Sequence, residues 1–121
     1  MLSVIALMAS VSVQKVSAQE KKELWPGVTA KILVENDNVK VFEVTFAPGA
    51  VAIWHSHPQY TAYAVTDVKM KTEIQGKETT TVEIKAGHAV WSPAVTHQTT
   101  NVSKKPFTVI VTEIKEVPHT H

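Results

Sequence analysis

The sequence predicts an all-β domain, a sandwich or a barrel, and three observations predict it. Apolar and β-branched residues come in short runs. In Val68-Lys69-Met70-Lys71-Thr72-Glu73-Ile74 they alternate strictly with polar ones, the period of a strand with one wet face. Turn-forming clusters, such as Glu35-Asn36-Asp37-Asn38, Ala47-Pro48-Gly49, Gln75-Gly76-Lys77 and Lys85-Ala86-Gly87, break these runs at short intervals. Beyond the first eighteen residues no segment carries a convincing helical period.

In chain order, Leu2 to Val13 is an apolar run, too short to span a bilayer, which takes about 20 residues. It is followed by Val16-Ser17-Ala18, which resembles a signal-peptidase site with cleavage after Ala18. The basic stretch that usually opens a signal is missing. Residues 1–18 are therefore read as a signal peptide, truncated at its start, with a buried helix or strand as the other reading. Residues 19–121 are read as one domain, exported to the periplasm or secreted. With no Cys after the apolar run, no lipid anchor is expected once the signal is cleaved. Gln19 to Gly27 reads as an exposed lead-in whose Trp25 packs on the domain. Strands are expected over Thr29–Val34, Val39–Phe46, Val51–Ser56, Tyr60–Thr66, Val68–Ile74, Glu78–Ile84, Ala89–Ser92, His97–Val102 and Phe107–Ile114. Pro118 to His121 reads as a short flexible tail.

The 121 residues make one domain, and their 44% hydrophobic content suits a packed core. A net charge of +1 gives no reason to expect nucleic acid as a partner. All twelve basic residues are Lys, so the bidentate recognition of phosphate that Arg provides is absent. There is no Cys, which excludes disulfides, thiolate catalysis and Cys-ligated metals.

Two stretches carry chemistry. In Gly49-Ala-Val-Ala-Ile-Trp-His55-Ser-His57, two histidines one residue apart fall on the same face of a strand, with Cα atoms about 6.6 Å apart. Both imidazoles can then converge on one ion. Trp54 falls on the opposite face, where a large indole needs a cover. The second stretch runs from Gly87 through Pro93 and His97 to Asn101.

Together these stretches resemble the two motifs of the cupin superfamily, G-x5-H-x-H and G-x5-P…H-x3-N, and the likeness spans roughly residues 31–114. Its closest form is that of small single-domain cupins with H-x-H-P, here His55-Ser56-His57-Pro58. The resemblance implies a double-stranded β-helix, a jelly-roll barrel. It also implies a homodimer, which the exposed face of Trp54 fits independently. The metal ligands would be His55, His57 and His97, with Gly49, Gly87, Pro93 and Asn101 as structural motif positions. The chain departs from the pattern at several places: the glycine that closes the first motif is absent, with Asp67-Val68 near that place, and His97 comes one residue early. The family's glutamate would fall at Thr61 or Ala62, and Val95 stands where the second motif has glycine.

Three neutral imidazoles suit a divalent transition metal, Fe, Mn, Ni, Zn or Cu, without cancelling its charge. Such a site favours a chelating oxygen ligand. Gln59, Thr61 and Tyr63 lie near the vacant glutamate position and are expected to line the pocket. For Tyr63, a plain core role is the competing reading. Three functions stay open. One is a metal-dependent enzyme of dioxygenase or isomerase type acting on a small oxygen-chelating substrate. The second is a non-enzymatic module that binds a small ligand, with or without metal. The third is a metal-free structural barrel.

Overall fold

The computed structural model describes residues 20–116. The apolar run, the cleavage site at Ala18 and the tail from Pro118 lie outside them. Ten strands form: β1 Lys22–Trp25, β2 Val28–Glu35, β3 Val39–Phe46, β4 Val51–His57, β5 Tyr60–Ala64, β6 Val68–Ile74, β7 Thr80–Ile84, β8 Ala89–Ser92, β9 Val95–Asn101 and β10 Phe107–Ile114. Among the described residues there is no helix, so the all-β class expected from the alternating runs is what forms. A six-stranded sheet has the order β1-β2-β3-β10-β5-β8, and a four-stranded sheet has the order β4-β9-β6-β7. Every pairing is antiparallel.

The period-two pattern explains how the sheets enclose a core. On β10, Phe107, Val109 and Val111 are buried, and they lie opposite Phe46, Val44 and Phe42 of β3 in an unbroken register. The Phe46 and Phe107 rings sit 4.7 Å apart, centroid to centroid, a favourable aromatic pair. Ala52, Val68 and Ile84 of the smaller sheet complete the buried cluster from the other side. The odd-numbered positions of β10 face in because side chains alternate along a strand.

Strands β2, β5 and β7 differ from expectation by one or two residues at an end, and three further differences shape the site. The lead-in is not irregular: Lys22–Trp25 pairs with β2 as an edge strand, and Trp25 packs on the core. β9 starts at Val95, two residues earlier than expected. Val95 needs no left-handed backbone, since among the described residues positive φ occurs only at glycines. β4 carries a bulge. Ala52 faces Thr99 and His55 faces His97, so three steps on β4 match two on β9. Simple alternation would have put Ala52 and His55 on opposite faces. The extra residue turns both inward and leaves Ile53 and Trp54 side by side on the outside, at 47% and 45% exposure.

The motif glycines shape the turns that feed these strands. Gly49 and Gly87 adopt φ of +77° and +88°, a region costly for residues with a Cβ. The Gly49 N–H donates to the Asn101 carbonyl at 2.9 Å, and the Gly87 N–H to the Ala64 carbonyl at 2.8 Å. Asn101 is fully buried. Its amide donates to the carbonyls of Phe46 (3.1 Å) and Lys105 (2.8 Å), and its oxygen accepts from the Ser103 N–H at 2.8 Å. One side chain thereby ties the end of β9 to β3 and to the 103–105 turn. Pro93 sits exposed in the connection from β8 to β9, where the Ser92 hydroxyl donates to its carbonyl at 2.9 Å.

Candidate metal centre

Strands β4 and β9 place three imidazoles in one spot. His55 and His97 are direct cross-strand partners, and His57 lies two residues further along the same face of β4. Their ring centroids are 4.6 to 5.2 Å apart. One ring nitrogen from each lies within 4.8 Å of the others. His97 is buried, while His55 and His57 are half-buried.

Hydrogen bonds fix which nitrogens point inward. His55 Nδ1 lies 2.7 Å from the Ile53 carbonyl. A carbonyl only accepts, so Nδ1 carries the proton and Nε2 keeps its lone pair. His57 Nδ1 donates to Glu113 Oε2 at 2.5 Å. Its Nε2 is likewise left as the acceptor nitrogen, in the carboxylate–imidazole arrangement that orients metal ligands. His97 Nε2 lies 3.0 Å from His55 Nε2. At that distance two lone pairs tolerate each other only with a proton or a cation between them. The donor set thus fits a divalent transition metal on chemical grounds: three imidazoles, two with their second nitrogens already engaged.

The electrostatics favour the ligating form. Burial lowers the His97 pKa to about 3, with further lowering from His55 and His57. Burial also lowers that of His55, against a raising contribution from its bond to Ile53. Neutral imidazole is the form that binds metals. Tyr60 packs on the cluster, its ring 4.7 Å from His57 and 6.3 Å from His97. Burial pushes its phenol above the ordinary value, so it stays protonated as a donor. Trp25 lies 5.3 Å from His55 and Phe42 stacks 6.4 Å from His57, holding the rings from outside the cluster.

The cluster opens into a cavity of about 650 Å³ between the sheets, within the range of small-molecule sites. The structure brings His55, His57 and His97 together as expected. It does not bring Thr61 and Tyr63 to the pocket. Tyr60, Ala62 and Ala64 face inward on β5, so Thr61 and Tyr63 fall on the outer face, where Tyr63 is 44% exposed. The turn through Pro58 and Gln59 carries the chain from the small sheet to the large one. Face parity therefore does not continue from His57. Gln59 is exposed outside the cavity wall, with its oxygen accepting from Trp91 Nε1 at 3.3 Å.

One residue of the centre, Glu113, escapes the sequence reading; the sequence places Tyr60 near the vacant glutamate position without a role in the pocket. Glu113 had a legible signal. On β10 the inward positions run Phe107, Val109, Val111, Glu113, and an acidic residue on the apolar face of a strand needs a partner. The carboxylate missing at Thr61 or Ala62 thus arrives from the last strand, bound to a histidine rather than standing beside it.

The comparisons with known proteins agree with this picture. The family model described as "Cupin domain" matches residues 42–113. No curated protein matches. A cupin domain protein from Bordetella pertussis Tohama I is 28% identical, with a TM-score of 0.70, over 78% of this chain and 100% of that one. KdgF from Halomonas sp. is 21% identical (TM-score 0.62), over 81% of this chain and 87% of that one. The polyketide cyclase RemF from Streptomyces resistomycificus is 19% identical (TM-score 0.61), over 84% of this chain and 77% of that one. The last two likenesses concern the fold alone.

Proposed function

The chain belongs to the cupin domain family, and from that premise we propose that it binds one divalent transition metal (Fe, Mn, Ni, Zn or Cu) through His55, His57 and His97. We infer that it acts there on a small substrate that chelates through oxygen. The observation that carries this is the convergence of three imidazoles at one end of a cavity of substrate size. The ion would supply a Lewis acid that polarises a carbonyl or enol oxygen. The chain's own residues do the rest. Glu113 holds the His57 ring, and Tyr60, kept protonated by burial, offers a proton at the cavity wall. Trp25 and Phe42 pack their rings against His55 and His57. The chemistry is of dioxygenase or isomerase type. RemF, a polyketide cyclase, has the same fold, and fold alone does not carry activity across. A ligand-binding module without turnover is the alternative. It is favoured by the fact that the carboxylate nearest the cluster, Glu113, is engaged with His57.

The test is elemental analysis of the purified chain and of its His55→Ala and His97→Ala variants. About one equivalent of metal in the parent and a clear loss in both variants is expected. Equal content in all three overturns the metal assignment. Oxygen uptake and isomerisation assays with 1,3-diketones then separate enzyme from binding module. We further propose export by way of residues 1–18, supported by the apolar run ahead of Val16-Ser17-Ala18. A periplasmic or secreted product beginning at Gln19 is the expected outcome of N-terminal sequencing.

A further inference from the structure

The inner face of the large sheet changes character in one row. Lys40, Glu113, Tyr60 and Ser92 are successive cross-strand partners on β3, β10, β5 and β8, and all four line the cavity. The next row inward, Phe42, Val111, Ala62 and Val90, is wholly apolar. The polar row therefore stands at the histidine end, where Glu113 and Tyr60 touch His57. Three of its members have partners within the fold. Glu113 holds His57, Tyr60 is hydrogen-bonded to Ser92, and the Ser92 hydroxyl donates to the Pro93 carbonyl. Lys40 has none. Its two cross-strand neighbours are both glutamates, Glu113 on β10 and Glu35 on β2. Glu113 turns to His57, and Glu35 takes Lys115 Nζ at 3.1 Å. Among the described residues no carboxylate forms an ion pair with Lys40.

Lys40 is half-buried. Its ammonium stands 5.4 Å over the Phe42 ring, and that ring stacks 6.4 Å from His57. An aromatic face compensates an ammonium only in part. An ammonium that has shed water and lacks a carboxylate gains from an anion brought to it. The remaining charged residues that line the cavity, Glu20 and Lys22, are exposed at its β1 edge. The chain has no Arg, so an anionic group can meet only a Lys here. We infer that Lys40 selects the substrate: it takes a carboxylate that the ligand carries a few atoms away from the oxygens held at the metal end. A lysine ammonium is a point charge, so it reads the charge of that group rather than its shape. The substrate class is a short oxo acid whose carboxylate is separate from its chelating oxygens. The inference deepens the proposed function and rests on it for the metal end only, since the contact with Lys40 does not involve the ion.

The experiment measures binding to the full chain by calorimetry, with metal content determined alongside. The probes are 4,6-dioxoheptanoate and heptane-2,4-dione, which differ only in a carboxylate in place of a terminal methyl group. On the metal-loaded chain the carboxylate is expected to tighten binding about tenfold. In Lys40→Met that advantage is expected to vanish, while Lys40→Arg and Lys22→Met keep it. Metal content and heat stability of all three variants should match the parent, because methionine and arginine at position 40 keep the apolar stem that packs on Phe42. An advantage that survives Lys40→Met, or that disappears in Lys22→Met instead, overturns the inference. Should the parent hold no metal, hexanoate and 1-hexanol take the place of the diketones. If hexanoate then binds more tightly and Lys40→Met removes the difference, the metal assignment falls and the role of Lys40 stands. Equal binding of the two members of the pair by the parent overturns the inference with or without metal.

Discussion

Glu113 decides how well the histidines can hold an ion. Its carboxylate fixes the His57 ring and leaves Nε2 facing the cluster. Glu113→Ala is expected to weaken metal affinity about 10–100-fold. Glu113→Gln should cost less, because its amide oxygen still accepts the Nδ1 proton. A competition titration against a chelator measures both, and parent-like affinity in the Ala variant would remove Glu113 from this role. The buried histidines also give the metal-free fold a pH dependence of definite sign. His97 titrates at about 3 in the folded chain, against about 6.5 when unfolded. Between these values the unfolded chain binds a proton that the folded chain refuses. Stability is therefore full above the unfolded pKa and is lost as pH falls toward the folded one. Chelator-treated protein should show a falling Tm as pH drops from about 7 to about 5. His97→Gln should flatten that slope, and an unchanged slope would place the titration elsewhere. At this scale the sequence was most informative. The spacing of His55 and His57 and the glycine-led stretch up to His97 marked all three imidazoles. Glu113 became visible only through the pairing of β10 with β3 and β5.

At the scale of the element, two features fit the site to the scaffold. The β4 bulge lets Ala52 serve the core and His55 serve the cluster from the same face. An alternating pattern has no way to register one extra residue, so the sequence did not show it. Strand β1 closes the cavity edge, and its Trp25 touches both the core and His55. Trp25→Ala removes part of a large apolar contact and should destabilise the fold by about 1–2 kcal/mol, read by denaturant unfolding. It should also loosen metal binding, because the His55 ring loses a neighbour. An unchanged midpoint would mean that β1 contributes nothing to the barrel. The strands Val39–Phe46, Ala89–Ser92 and Phe107–Ile114 match their sequence-predicted limits because clear turn signals flank them. The edge strand was missed because it is only four residues long and, Trp25 apart, exposed, too short for a period-two pattern to register.

At the scale of the molecule, the outer surface raises a question of assembly. Trp54 and Ile53 stand exposed together, and Trp91 and Tyr63 are exposed at 60% and 44%. Ile53 and Trp54 lie on the four-stranded sheet and Tyr63 and Trp91 on the six-stranded one; the exposed Ile53–Trp54 pair fits a covered surface, and we propose a homodimer through it. Light scattering should give twice the chain mass, and Trp54→Lys should shift it toward the monomer. A parent that runs as a monomer at all concentrations would end that proposal. By itself the sequence determined the all-β class, the existence of nine of the ten strands and the three histidines. These depend on local period, turn chemistry and spacing along one strand, all of which are short-range. The tertiary structure alone decided which side chains join the histidines. Glu113 lies 56 residues from His57 in the chain, and Tyr60, not Tyr63, faces the cavity because the Pro58-Gln59 turn changes sheets. Such neighbours are set by strand order, register and one bulge, and those follow from how the two sheets bury their faces against each other.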